Sequence, residues 1–255
     1  MNALKRILRF EDEHANLDEA AFQIARIEYP TLVVPEWLAE LDRHAEEMRR
    51  RMGGSFRLTA QQYLFGELGI AGNEADYYNP RNSCLNHVLE ARTGIPITIC
   101  VLYMELGRRL GVAVDGIGAP GHFLLRLEED GDTYYLDPYH QGQIKEDVER
   151  ELDPRYLVAA SKRSIVIRML NNLRLIYLQR QAWRKANAVL DLLLEADPVD
   201  ADVLRQRAAT LAATQRFHAA AADLDRYLEL RPLDPDGEEL KNQIARLHRM
   251  HAHKN

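Results

Sequence analysis

The 255 residues predict an α+β chain that is mostly helical, with one small antiparallel sheet followed by an all-helical tail. Three patterns carry that expectation. Helical periodicity runs from Leu4 to about Ile70. Between His122 and Leu136 the period drops to two around an Asp-Gly pair, the mark of a hairpin. The last third repeats itself every 34 residues.

Bulk properties narrow the function classes. Apolar residues make up 46% and charged residues 28%, enough to bury a proper core. A net charge of -6 argues against a nucleic-acid binder that works by neutralising phosphates. The basic run Arg49-Arg50-Arg51 follows Glu46-Glu47 on a helical pattern and reads as a solvated face. The start, Met1-Asn-Ala-Leu-Lys-Arg, shows no apolar signal-peptide core, and no stretch reaches the length of a membrane span. With only Cys84 and Cys100, the expectation is a soluble, cytoplasmic protein with reduced thiols.

In the front segment, Leu17-Asp18-Glu19 opens one helix, Pro35 sits near the first turn of another, and Thr59 is placed to cap a third. This region reads as scaffold. Asn79-Pro80 then forms a cap and first-turn pair for a helix from Arg81 to Ala91, stopped at Thr93-Gly94. A buried helix follows, with Ile99, Leu102, Tyr103, Leu106 and Leu110 on one stripe and Gly111 at its end. It starts at Pro96 or Thr98, which puts Cys100 in or just beyond the first turn.

In the hairpin, Phe123, Leu125 and Leu127 take the core side, so His122 points the other way with Leu124 and Arg126. A two-residue Asp130-Gly131 loop sets His122 opposite Tyr139 and Leu124 opposite Asp137. His122 and Asp137 then share a face as diagonal neighbours, about 7–8 Å apart. A four-residue loop keeps this parity; three or five residues would reverse it.

A thiol near a helix start, an imidazole on one strand and a carboxylate on the next follow nucleophile–base–orienter logic. Cys100 would attack an acyl carbon, His122 would carry the proton and Asp137 would hold the ring. The helix N-terminus favours thiolate at Cys100. Oxyanion donors would be the Cys100 backbone N–H, with Asn82 or Asn86 as side-chain candidates. Three readings stand against this. Cys100 is a small core residue; Cys84, with His87 on its helix, is the nucleophile instead; or His122, Asp137 and His140 bind a metal despite irregular spacing. The triad reading requires no cofactor and no metal.

In the tail, Trp183 falls over Phe217, Ala186 over Ala220, Leu190 over Leu224, Leu194 over Leu228 and Pro198 over Pro232. That 34-residue register is the tetratricopeptide period. The helices run from Leu170 to Gln179, Trp183 to Glu195, Ala201 to Thr214 and Phe217 to Leu230, with a capping helix from Asp236 to about His251. Two units are fewer than a free-standing array needs, so the tail either offers a groove to a protein or peptide partner or packs as an appendage. His248, His251 and His253 read as a solvated end.

Gly94-Ile-Pro…Cys100…Leu110-Gly111-Val, Pro120-Gly121-His122-Phe123 and Tyr135-Leu136-Asp137-Pro138 together resemble the transglutaminase-like superfamily. Adding Asn82-Ser83-Cys84-Leu85-Asn86 and the repeat tail, the chain is similar to the bacterial SirB-type family. The resemblance runs from about Asn79 to Asp236. It implies a papain-like cysteine-hydrolase domain over residues 1–160, including the N-terminal helices, and two tetratricopeptide repeats with a capping helix over residues 161–255. It also places Cys100, His122 and Asp137 on catalytic positions. The activity so implied is hydrolysis or acyl transfer at amide or peptide-like bonds. The competing expectation is a catalytically silent adaptor whose repeat tail binds a partner.

Overall fold

The computed structural model describes residues 1–119 and 122–254. Two compact units divide the chain, Met1–Met169 and Leu170–Asn255.

The first unit opens with α1 (Ala3–Phe10), capped by the Asn2 side chain, and α2 (Leu17–Ala25). Next comes α3 (Val34–Arg51), with proline in its first turn and three arginines in its last, where they complement the helix dipole. Those arginines pair with Glu46, Glu47 and Glu67 at the surface. The following helix, α4 (Phe56–Ala60), is capped by Ser55 rather than Thr59. Ser55 Oγ accepts the Leu58 N–H at 3.0 Å, while the Thr59 hydroxyl, inside the helix, donates back to the Ser55 carbonyl. The chain runs on as a π-helical segment, Gln61–Glu67.

A short strand β1 (Ala71–Gly72) pairs in parallel with β2 (Thr93–Gly94). Between them the helix expected over Arg81 to Ala91 is broken in two. Asn79 caps a 3-10 turn over Pro80–Ser83, Cys84 is extended, and α5 (Leu85–Ala91) restarts beyond it. The long buried helix α6 (Pro96–Leu110) ends at Gly111 in a left-handed conformation, φ 77°.

A four-stranded antiparallel sheet follows in the order β3 (Val114–Ala119), β4 (His122–Glu129), β5 (Asp132–Asp137), β6 (Gln143–Ile144). The outer strands β3 and β6 escaped the sequence reading. In β3 the glycines Gly116 and Gly118 hide the alternation, and at Gly116 the missing side chain makes room for the Phe123 ring. A one-turn helix α7 (Val148–Glu151) precedes α8 (Lys162–Gln179), within which the boundary between units falls.

An ion network holds α6 in register with α2. The Arg109 guanidinium reaches Asp18 at 2.6 Å, Asp42 at 2.8 Å and Glu105 at 3.2 Å, and Arg108 holds Glu105 at 2.7 Å. Asp18 and Glu105 are both buried. Desolvation, then the charge of Asp18, pushes Glu105 above the usual carboxylate range.

The second unit continues with α9 (Trp183–Ala196), α10 (Ala201–Ala213), α11 (Phe217–Leu230) and α12 (Gly237–Lys254). The repeat alanines Ala186, Ala208 and Ala220 are buried where helices close on each other. Leu240, Ile244 and Leu247 of α12 join the core formed with Ala220, Leu224 and Tyr227, as a capping helix should. Arg207 bridges three helices, forking onto Asp223 and reaching Asp191 at 2.8 Å.

Candidate functional site

The hairpin has the register that the sequence demands. Glu129 faces Asp132 and Leu125 faces Leu136, across a two-residue turn in which Asp130 (φ 56°) and Gly131 (φ 89°) are both left-handed. His122 and Asp137 therefore have the same parity. Pro120 and Gly121, which precede His122 in the sequence motif, lie outside the described residues.

Cys100 is the fifth residue of α6, and its side chain is fully buried. Its backbone N–H comes after the amides that a helix start leaves unpaired, so it has no orphan donor to offer an oxyanion. The thiol donates to the Phe123 carbonyl at 3.5 Å. Burial pushes the thiol well above its ordinary range, the nearby Asp137 charge adds to this, and the Arg168 cation opposes it. The expectation that the helix start favours thiolate is thus reversed: desolvation outweighs a dipole that fades beyond the first turn.

His122 is exposed, and among the described residues its ring has no hydrogen-bond or ion-pair partner. Asp137 is 4% exposed and fully engaged. One carboxylate oxygen accepts the Tyr139 and His140 backbone N–H groups, at 3.1 and 3.3 Å. The other takes His140 Nδ1 at 2.7 Å and lies 3.5 Å from Lys145 Nζ. The imidazole that Asp137 holds is His140, which stands three residues on, across the turn that Asp137 itself caps.

These groups converge on a cleft of about 150 Å³. Tyr77, Pro96, Phe123, Leu124 and Tyr139 form its walls, and His122, Asp137 and His140 its polar part. Pro96 is the point where α6 reaches this cleft; Cys100, one helical turn deeper, does not line it. A second cleft of about 200 Å³ shares His122 and Leu124 and runs on to Lys145, Val148 and Leu152.

Neither asparagine candidate lines these clefts. The Asn82 amide donates to the Asp76 and Tyr77 carbonyls at 2.7 and 3.1 Å, fixing the loop that carries Tyr77. Asn86 is buried on α5 with its Oδ1 unsatisfied. Cys84 is buried too, 3.7 Å from the Pro80 carbonyl, and His87 is taken up by the Tyr29 hydroxyl at 3.3 Å. Among the described residues, no group of three or more His, Cys, Asp or Glu side chains is arranged to hold a metal ion.

Sequence reasoning missed two contributors. Arg168 of α8 donates to the His122 carbonyl at 2.8 Å and to the Ala119 carbonyl, with its guanidinium 5.3 Å from the centre of the Phe123 ring. No local spacing links it to a strand so distant in sequence. Gly72 of β1 lies flat beneath Tyr139, where an added Cβ would meet the ring at 2.3 Å. Only the missing side chain hints at that contact.

The family models agree with this architecture. Residues 35–171 match the transglutaminase-like superfamily model, and residues 173–245 match a tetratricopeptide repeat model. A UPF0162 protein of Xylella fastidiosa (strain 9a5c) is 34% identical over 259 residues, covering 93% of this chain and 92% of the relative. Protein SirB1 of Salmonella typhimurium is 24% identical over 258 residues, covering 94% and 96% respectively. Human F-box only protein 21 shares 38% identity over 95 residues, 34% of this chain and 15% of that protein. No solved structure gives a significant match. No helix of the described residues is long and apolar enough to cross a membrane. With a family model over more than half its length and close relatives along almost all of it, the chain belongs to the SirB-type branch of the transglutaminase-like superfamily, with a C-terminal tetratricopeptide region.

Proposed function

We propose that this chain is an adaptor: a transglutaminase-like scaffold with a silent cysteine, working through a protein or peptide partner bound by its tetratricopeptide region. The observation that carries this reading is the state of the Cys100 thiol, which is fully buried, donated to the Phe123 carbonyl and held protonated by desolvation. A cysteine nucleophile has to be exposed and close to thiolate at working pH. The wiring of the carboxylate supports the same reading, because Asp137 engages His140 rather than His122. Repeat arrays present extended surfaces suited to partners, and on this reading residues 161–255 are the partner-binding part.

Affinity purification from the native cells tests it. Cys100→Ala should recover the same partner at the same level as the wild type. Substitution of exposed tail residues such as Leu175 and Arg226 should reduce recovery. A partner set that depends on Cys100, or an acyl adduct on Cys100 in intact-mass spectra, would overturn the adaptor reading and restore thiol hydrolysis or transamidation.

A further inference from the structure

The Asp137–His140 pair has a geometry that partner binding does not use. A carboxylate buried to 4% exposure is pinned by two backbone N–H groups and accepts an imidazole Nδ1–H at 2.7 Å. With Nδ1 committed, His140 Nε2 is the basic nitrogen, and among the described residues it has no partner. The His140 side chain is 46% exposed and lines the cleft together with the unpartnered ring of His122. This is the base–orienter relation of acyl-transfer sites, assembled around a different histidine from the one on the family's catalytic position.

We infer that the cleft is a thiol-independent esterase site, in which Asp137 orients His140 as general base and His122 faces the developing oxyanion. The substrate class follows from the walls. Tyr77, Tyr139, Phe123, Leu124 and Pro96 are aromatic or apolar, and about 150 Å³ holds an acyl group of a few carbon atoms. An ester rather than an amide fits an imidazole–water mechanism, because an alkoxide departs far more readily than the nitrogen anion of an unprotonated amide. His140 Nε2 takes a proton from water as the water oxygen bonds to the acyl carbon. The tetrahedral intermediate then expels the alkoxide, which receives that proton from His140. The products are the carboxylic acid and the alcohol, and His140 is returned to its neutral form.

Hydrolysis of p-nitrophenyl acetate and butyrate by the full chain tests this. The expected result is turnover above buffer that survives treatment with the thiol reagent methyl methanethiosulfonate and persists in His14→Gln, a control at an exposed histidine. His140→Gln should lower the rate at least tenfold with an unchanged circular dichroism spectrum, and added imidazole should restore part of it. That chemical rescue separates loss of a base from loss of fold. Absence of turnover in the wild type would overturn the inference. So would a His140→Gln rate within twofold of wild type, or abolition by the thiol reagent, which would assign the chemistry to a cysteine.

Discussion

Replacing Arg109 by methionine removes the cation that ties α6 to Asp18 of α2 and Asp42 of α3. Arg109 is 11% exposed and faces two carboxylates that are nearly fully buried, Asp18 and Glu105, with exposures of 1% and 3%. Stripping one partner from a buried ion group costs about 3–5 kcal/mol, because the remaining charge is left desolvated. Arg108 still reaches both carboxylates, which points to the lower end, about 3 kcal/mol. With a urea slope of about 1–3 kcal/mol per molar, the midpoint should fall by about 1–3 M. Trp37, packed 6.1 Å from Phe22, reports unfolding of this unit once Trp183→Phe has removed the other tryptophan. The pH dependence gives the sharper check. Glu105 is held above the ordinary range, so its protonated form stabilises the fold at low pH. That contribution is lost as pH rises through the unfolded value of about 4.3 towards the folded one. Without Arg109 the charged form is worse still, so the defect should be larger at pH 7 than at pH 4. A cost under about 1 kcal/mol, or one that is equal at both pH values, would refute the reasoning.

Gly72→Ala drives a methyl to within 2.3 Å of the Tyr139 ring and should cost about 1–3 kcal/mol in thermal unfolding. Gly53→Ala, with nothing within 4 Å, should stay within about 0.5 kcal/mol of wild type. Because burial raises the Cys100 thiol, its stabilising contribution is complete below the unfolded value of about 8.5 and declines above it. Stability should therefore fall by up to about 1.4 kcal/mol per pH unit above pH 8.5, and Cys100→Ala should flatten that limb.

Much of the fold could be read from the residues, and the reasons are local. The Asp130-Gly131 turn fixed the hairpin register, because both positions need left-handed backbone and that turn leaves one pairing. The tail could be read because matched alanines and leucines mark helix contacts at a fixed period. Strands β3 and β6 were not visible: one is diluted by glycine and the other is two residues long. In the site, parity correctly put His122 and Asp137 on one side, yet parity says nothing about which imidazole a carboxylate chooses. His140 wins because Asp137 caps the 3-10 turn that presents it. For Cys100 the sequence left two readings open, a thiolate near a helix start and a small core residue, and the structure buries it. Helix position alone suggests a thiolate, whereas desolvation depends on Phe123 and the sheet packed above it.

Cys100 reactivity in the native chain tests the central claim most directly. With iodoacetamide at pH 7.5, both cysteines should label only through opening of the fold. For openings that cost about 4 kcal/mol or more, that means a rate at least about a thousandfold below the unfolded chain. His122→Ala should leave the Cys100 rate unchanged. Rapid labelling of Cys100 in the folded protein, faster than Cys84 and slowed by His122→Ala, would contradict the account and return the thiol to the centre of the chemistry.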